Sequence, residues 1–268
     1  MITLFKQYFR AQRSGLLIWA GFNGFLGWAL AATAKPMETA SALGNFMTRI
    51  MEKLPESLRA LLGIAPGMSP IDSLIQAKLG FWMAVALPVY GCLLAVAAVS
   101  REIDRGTADF LLALPVDRKQ VLVTRWEVMA VNLAVVVLTT WSALSGGLVM
   151  SGVTGNFRGY FWMIAQAGFV GLAIGSLAML GSMWAPDYER AMKWSLAAVG
   201  VLFSVDLSMK MASMSRLARS FNPFSYFDTL EPLRHSGPMW TDAAALIAVS
   251  LAALWAALRV FQSKQIEA

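Results

Sequence analysis

The sequence predicts an all-α fold: an integral membrane bundle of six transmembrane helices with an N-terminal interfacial amphipathic helix and a small helical extracytoplasmic cap. Three observations predict it. Of the 268 residues, 57% are hydrophobic and only 14% charged, which is too apolar for a soluble domain of this size. Apolar runs of roughly twenty residues recur along the chain, each long enough to cross a hydrocarbon core. Trp126, Trp162, Trp184, Trp194 and Trp240 fall near the ends of those runs, where indoles settle at the headgroup level. Residues 1–268 read as a single membrane domain.

The elements follow in chain order. Residues 1–15 set Ile2, Phe5 and Phe9 against Lys6, Arg10 and Arg13 on opposite helical faces, the pattern of a helix lying in the membrane interface. The first span reads from Leu16 to Ala34. Its Ala32-Thr33-Ala34 end looks like a signal-peptide cleavage site, but the apolar run exceeds the ~7–15 residues of a signal sequence, so retention is expected. Residues 35–78 form a polar interval in which Leu43, Phe46, Met47, Ile50, Met51 and Leu54 recur at helical spacing. Pro55 and Gly63 bracket a second short helix there, so the interval reads as an extracytoplasmic cap. Its apolar face either packs on the spans or docks a partner.

The second span reads from Gly80 to Val99, with Pro88 inside it as a kink. Later spans read over 128–150, 160–184, 194–212 and 243–260. An even number of crossings puts both termini on one side, and the basic amphipathic start assigns that side to the cytoplasm. The chain is thus expected as a multi-pass protein of the cell membrane.

Composition also excludes classes. Cys92 and His235 are the only cysteine and histidine and fall in different regions, so neither a disulfide framework nor a His/Cys metal site can be assembled. The net charge of +6 sits mostly at span ends, where it meets anionic headgroups rather than nucleic acid. With one histidine, in an outer loop, no nucleophile, base and orienting group come together, and no catalytic residue is assigned.

The segment of greatest interest lies between the second and third spans, within a cytoplasmic loop at 101–127. Thr107 can cap a short helix, Asp109 complements its positive end and Pro115 stops it after Leu114. Asp117 and Gln120 then start a second helix that leads through Arg118, Lys119 and Arg125 into the third span. Phe110, Leu111 and Leu114 form an apolar face, flanked by Glu102, Asp104, Arg105 and Asp109. On helix chemistry alone this reads first as an ordinary capped connector with solvated charges, and second as a helix built for a protein partner to grip.

Here the chain resembles the membrane subunits of type-2 ATP-binding-cassette (ABC) export permeases, whose loop after the second span runs Glu, Gly-Thr, Leu-Leu, Leu-Pro. The matching residues are Glu102, Gly106, Thr107, Leu111, Leu112, Leu114 and Pro115. Weaker likenesses cover the amphipathic start, Leu54-Pro55-Glu56 to Leu62-Gly63, and Asn222 to Asp228; the basic pair common after the last span is reduced to Lys264. The resemblance implies that Glu102, Arg105, Gly106, Thr107, Phe110, Leu111, Leu114 and Pro115 form a coupling helix against a separate ABC ATPase subunit. It also implies a second permease copy or paralogue as dimer partner. ATP and Mg would bind on the ATPase partner, with no cofactor on this chain. The expected function is the permease subunit of an ABC exporter. The alternative is a membrane scaffold that transmits ATPase-driven motion to an extracytoplasmic protein held by the cap.

Other signals are set aside. Leu144-Ser145-Gly146-Gly147-Leu148 is similar to the signature of ABC ATPases but lies in a span, and no G-x-x-x-x-G-K-[ST] phosphate loop occurs in the sequence. Those glycines, and the GxxxG of Gly171 and Gly175, are expected to let helices approach closely. Asn23, Asn132 and Gln166 are expected to hydrogen-bond between helices. Asp206 and Lys210, four residues apart in the outer half of the fifth span, either line a path or stabilise one helix.

Overall fold

Hydrocarbon offers no partner for backbone N–H and C=O groups, so a chain that crosses it through apolar runs must satisfy them within helices. The computed structural model describes residues 2–35, 69–104, 118–212, 214–215 and 220–263, and every regular element among them is helical. In chain order these are α1 (Ile2–Ala32), α2 (Pro70–Ile75), a π-helical turn (Gln76–Gly80), α3 (Phe81–Asp104), α4 (Arg118–Met150), α5 (Phe157–Ser182), α6 (Tyr188–Met211), a 3-10 turn (Pro223–Tyr226), α7 (Glu231–His235) and α8 (Trp240–Ser263). Among the described residues six helices are long and apolar enough to cross a membrane: Thr3–Ala32, Ile71–Ala97, Lys119–Met150, Phe157–Ser182, Tyr188–Met211 and Trp240–Phe261.

Two boundaries differ from expectation. No break separates residues 2–15 from the first span: both belong to α1, which runs unbroken for 31 residues. At ~1.5 Å per residue such a helix exceeds a hydrocarbon core of about 30 Å, so its amphipathic start extends past it. Ser14-Gly15 brings no proline, and one glycine costs only about 1 kcal/mol, too little to break a helix this long. The predicted two-faced pattern is retained: Phe5 and Phe9 stack at 6.0 Å, while Lys6, Arg10 and Arg13 are exposed.

The second crossing starts ten residues before the expected Gly80. Ser69 caps α2 by accepting from the Asp72 amide at 3.0 Å, and Pro70 occupies the first turn, where its missing N–H is no loss. The helix then passes through the π turn into α3, so residues 70–78 of the expected outer interval belong to the span. The remainder of the expected cap, 36–68, lies outside the described residues.

The core is set by two close helix pairs. At the first, α3 and α5 meet backbone to backbone. A Cβ added to Gly91 would lie 2.3 Å from the Gly171 carbonyl oxygen, one on Gly171 would lie 2.8 Å from that of Leu87, and one on Gly175 would lie 3.0 Å from that of Gly91. Pro88 sits at this crossing and leaves the Ala84 carbonyl without its helical partner. The predicted GxxxG approach is therefore real, and its partner is the Pro88 region of the second span. At the other pair, α1 and α4 run side by side: a Cβ on Gly27 would be 2.9 Å from the Thr140 oxygen, and one on Gly147 would be 2.6 Å from Ala31 Cβ. Gly146 meets nothing.

Gly91→Leu or Gly171→Leu is expected to destabilise the bundle by at least about 1–3 kcal/mol, because the obstructing atoms are backbone. Gly21→Leu, where an added Cβ meets nothing within 4 Å, should be silent. Melting temperatures in detergent compare the three; equal values would contradict the packing described.

Candidate functional site

The crossings alternate in direction, so the start of α1, the end of α3, the start of α4, the α5–α6 turn and the end of α8 share one face of the bundle. The segment predicted to couple to a partner is carried on that face. Glu102 lies in the last turn of α3, although its side chain is outside the described residues. Arg105, Gly106, Thr107, Phe110, Leu111, Leu114 and Pro115 also lie outside them. What the structure shows is the mount on either side.

α4 leaves that segment at Arg118 and is fastened to three helices within its first four turns. The Arg125 guanidinium stands 4.6 Å over the Tyr8 ring and donates to the Tyr8 hydroxyl at 3.3 Å, tying α4 to α1. Trp126 Nε1–H donates to Ser176 Oγ at 2.8 Å, tying it to α5. Asn132, fully buried, donates to Gln12 Oε1 at 3.2 Å and accepts from the Tyr90 hydroxyl at 3.4 Å, joining α1, α4 and α3. Tyr90 in turn stacks on Trp19 at 4.7 Å. In lipid each such interhelical bond contributes about 0.6 kcal/mol, up to about 1.7.

Asn23 and Gln166 fill the same role elsewhere. Asn23 accepts from Trp82 Nε1–H at 2.8 Å, and Gln166 donates to the Tyr226 carbonyl at 2.6 Å. Asn23 and Asn132 bridge spans as expected, whereas Gln166 bonds the 3-10 turn that precedes α7 rather than another span.

At the opposite end, Asp206 and Lys210 form an ion pair of 2.6 Å, with side-chain exposures of 5% for Asp206 and 34% for Lys210. Lys210 also donates to the Phe227 carbonyl at 3.3 Å. The pair thus reaches beyond its own helix to the segment before α8. That segment is a buried plug rather than a surface loop. Asn222 caps its 3-10 turn and donates to the Leu202 carbonyl at 2.7 Å, while Phe224 is 1% exposed and meets Phe203 edge-on at 5.4 Å. Phe203 meets Phe81 likewise at 5.7 Å.

Sequence reasoning missed the polar layer around this plug. Gln76, in the π turn, donates to Thr229 Oγ1 at 2.7 Å. The Tyr160 hydroxyl bonds the Asp72 carboxylate, and Asn156 both caps α5 and donates to the Leu233 carbonyl at 2.7 Å. Ser69-x-x-Asp72 was a readable helix start; the pairings across 77 to 153 positions were not.

Among the described residues no three His, Cys, Asp or Glu side chains gather as metal ligands. A six-crossing helical bundle with polar pegs between its spans defines a polytopic membrane protein. The family comparison makes that specific: a model described as ABC-2 family transporter protein matches residues 11–266, so the chain belongs to the ABC-2 transporter family and is a membrane transport subunit. No curated protein matches it.

Lys210→Met is expected to strand the buried Asp206 carboxylate at a cost of roughly 2–3 kcal/mol, less than for a fully buried pair because Lys210 is 34% exposed. Asp206→Asn combined with Lys210→Met should recover most of the loss. Thermal unfolding of the single and double variants decides, and a double variant less stable than Lys210→Met alone would contradict the assignment.

Proposed function

We propose that the chain is the permease half of an ABC exporter. It works as a dimer, with the path between two six-helix bundles and both termini in the cytoplasm. ATP is hydrolysed on separate subunits that dock at residues 101–118. Permeases of this family generally work with an ATP-binding subunit, which supports the division of labour.

The observation that carries the reading is the anchoring of α4. A push delivered at its start meets three polar attachments within 15 residues, Arg118 to Asn132, to α1, α3 and α5. α4 has no internal proline, so displacement is not absorbed at a kink. The docked segment therefore acts on the whole bundle through one rod. Switching between inward and outward openings requires that the nucleotide state favour one arrangement over the other. The docking helix is where that difference in free energy enters.

Glu102→Lys, which reverses a charge at the docking surface, and Gly106→Trp, which fills the turn before the helix, are expected to uncouple the two activities. Nucleotide-driven substrate flux in vesicles should fall by roughly 5–150-fold, the span of typical coupling energies, while the bundle keeps its melting temperature. Unchanged flux and unchanged ATPase association in both variants would remove the proposal.

A further inference from the structure

We propose that Lys6, Arg10 and Arg13 hold the headgroup of an anionic phospholipid, whose acyl chain lies along the exposed stripe of α1 beneath them. The cations recur at i, i+4 and i+7 on one face of an unbroken helix and span roughly 10 Å along its axis. All three are exposed, and among the described residues none has an ion-pair partner. Tyr8 and Gln12 point at α4, where they meet Arg125 and Asn132. The cations therefore stand on the other side of α1, facing out of the bundle.

Depth places them at headgroup level. At ~1.5 Å per residue the 30 residues of Thr3–Ala32 outrun a hydrocarbon core of about 30 Å by roughly ten. The apolar run begins at Leu16, so the excess is the stretch that carries Lys6, Arg10 and Arg13. One turn beyond Arg13 the surface changes character: Leu17 is 71% exposed and Ile18 70%. Gly21 follows, with nothing within 4 Å of where its Cβ would stand, and then the exposed Phe25 and Trp28. The surface is thus cationic at one end and apolar, with a notch, below it.

That profile selects the occupant. A soluble acidic protein matches the cations but not the aliphatic stretch, which lies within the hydrocarbon. A second copy related by a two-fold axis along the membrane normal presents residues of equal depth. The described acids at that depth are Asp187 and Glu189, already paired with Arg190 and Lys193, and Glu127, half-buried on α4. Two α1 helices set face to face would also bring like charges together. A phospholipid of net negative charge satisfies both ends at once, and every Lys or Arg at the surface adds to its attraction.

The test is photolabelling of the full chain in phosphatidylcholine vesicles doped with a trace of either phosphatidylglycerol or phosphatidylcholine carrying an acyl-chain diazirine, with adducts mapped by peptide mass spectrometry. Phosphatidylglycerol is expected to label Leu17 and Ile18 in preference to phosphatidylcholine, whereas Phe25, deeper on the same helix, should take both equally. Replacing Lys6, Arg10 or Arg13 by Gln, which keeps helix propensity, should lower the preference about fivefold per cation removed. Arg10→Lys should retain it. Equal labelling of Phe25 in every variant reports a folded chain in contact with lipid. Equal labelling of Leu17 and Ile18 by the two lipids in the wild-type chain would overturn the proposal, as would a preference that survives the triple Gln variant. Adducts on Phe25 with none on Leu17 or Ile18 would assign the stripe to a second copy. A preference present in vesicles but lost in native membranes fused with them would assign it to an acidic protein, and either result would also overturn the proposal.

Discussion

Between helices in lipid, burying one apolar side chain against another gains little, because the tails it leaves are equally apolar. The stability of this bundle therefore depends on close approach, and the approach depends on glycine. Gly91, Gly171 and Gly175 bring the second and fourth crossings to backbone contact beside Pro88. Backbone approach of this kind lets Cα–H groups meet carbonyl oxygens, each such contact being worth about 0.5–1 kcal/mol.

Polar pegs then fix which arrangement of the helices is adopted. Dispersion between apolar surfaces tolerates sliding, but Trp82 to Asn23, Trp126 to Ser176 and the Gln12–Asn132–Tyr90 chain each hold only in one register. They lie at different depths on different helix pairs, so together they determine the rotation of α1, α3, α4 and α5. An amide or indole stripped of its partner in hydrocarbon finds no water to replace it. The plug before α8 repeats the device with Asn222, Gln166 and Lys210.

The membrane bundle was legible because the relevant signals are local. Span length, the glycines at 171 and 175, and the amides at 23, 132 and 166 each carry their meaning in a window of one helix. The indoles were half legible: Trp184 and Trp240 are exposed at helix ends as expected, but Trp126 and Trp162 also pack between helices. The start of the second crossing was hidden by Asp72 and Lys78, which read as solvent-facing until Tyr160 is seen to take the carboxylate. The plug was hidden for the same reason. Nothing near Asn222 or Thr229 in the sequence shows that their partners are Leu202 and Gln76. The coupling residues 105–115 rest on a resemblance in their order, not on contacts.

The alignment of α1 with α4 has a further consequence. Tyr8 with Arg125, Gln12 with Asn132, Gly27 with Thr140, and Ala31 with Gly147 join the two helices along nearly their full length, in the same direction. The first and third crossings thus form a single stiff plank, although the second crossing separates them in the chain. A fluorophore or fusion placed near Ile2 would ride on that plank and report the motion of the third crossing, rather than of a loosely tethered tail.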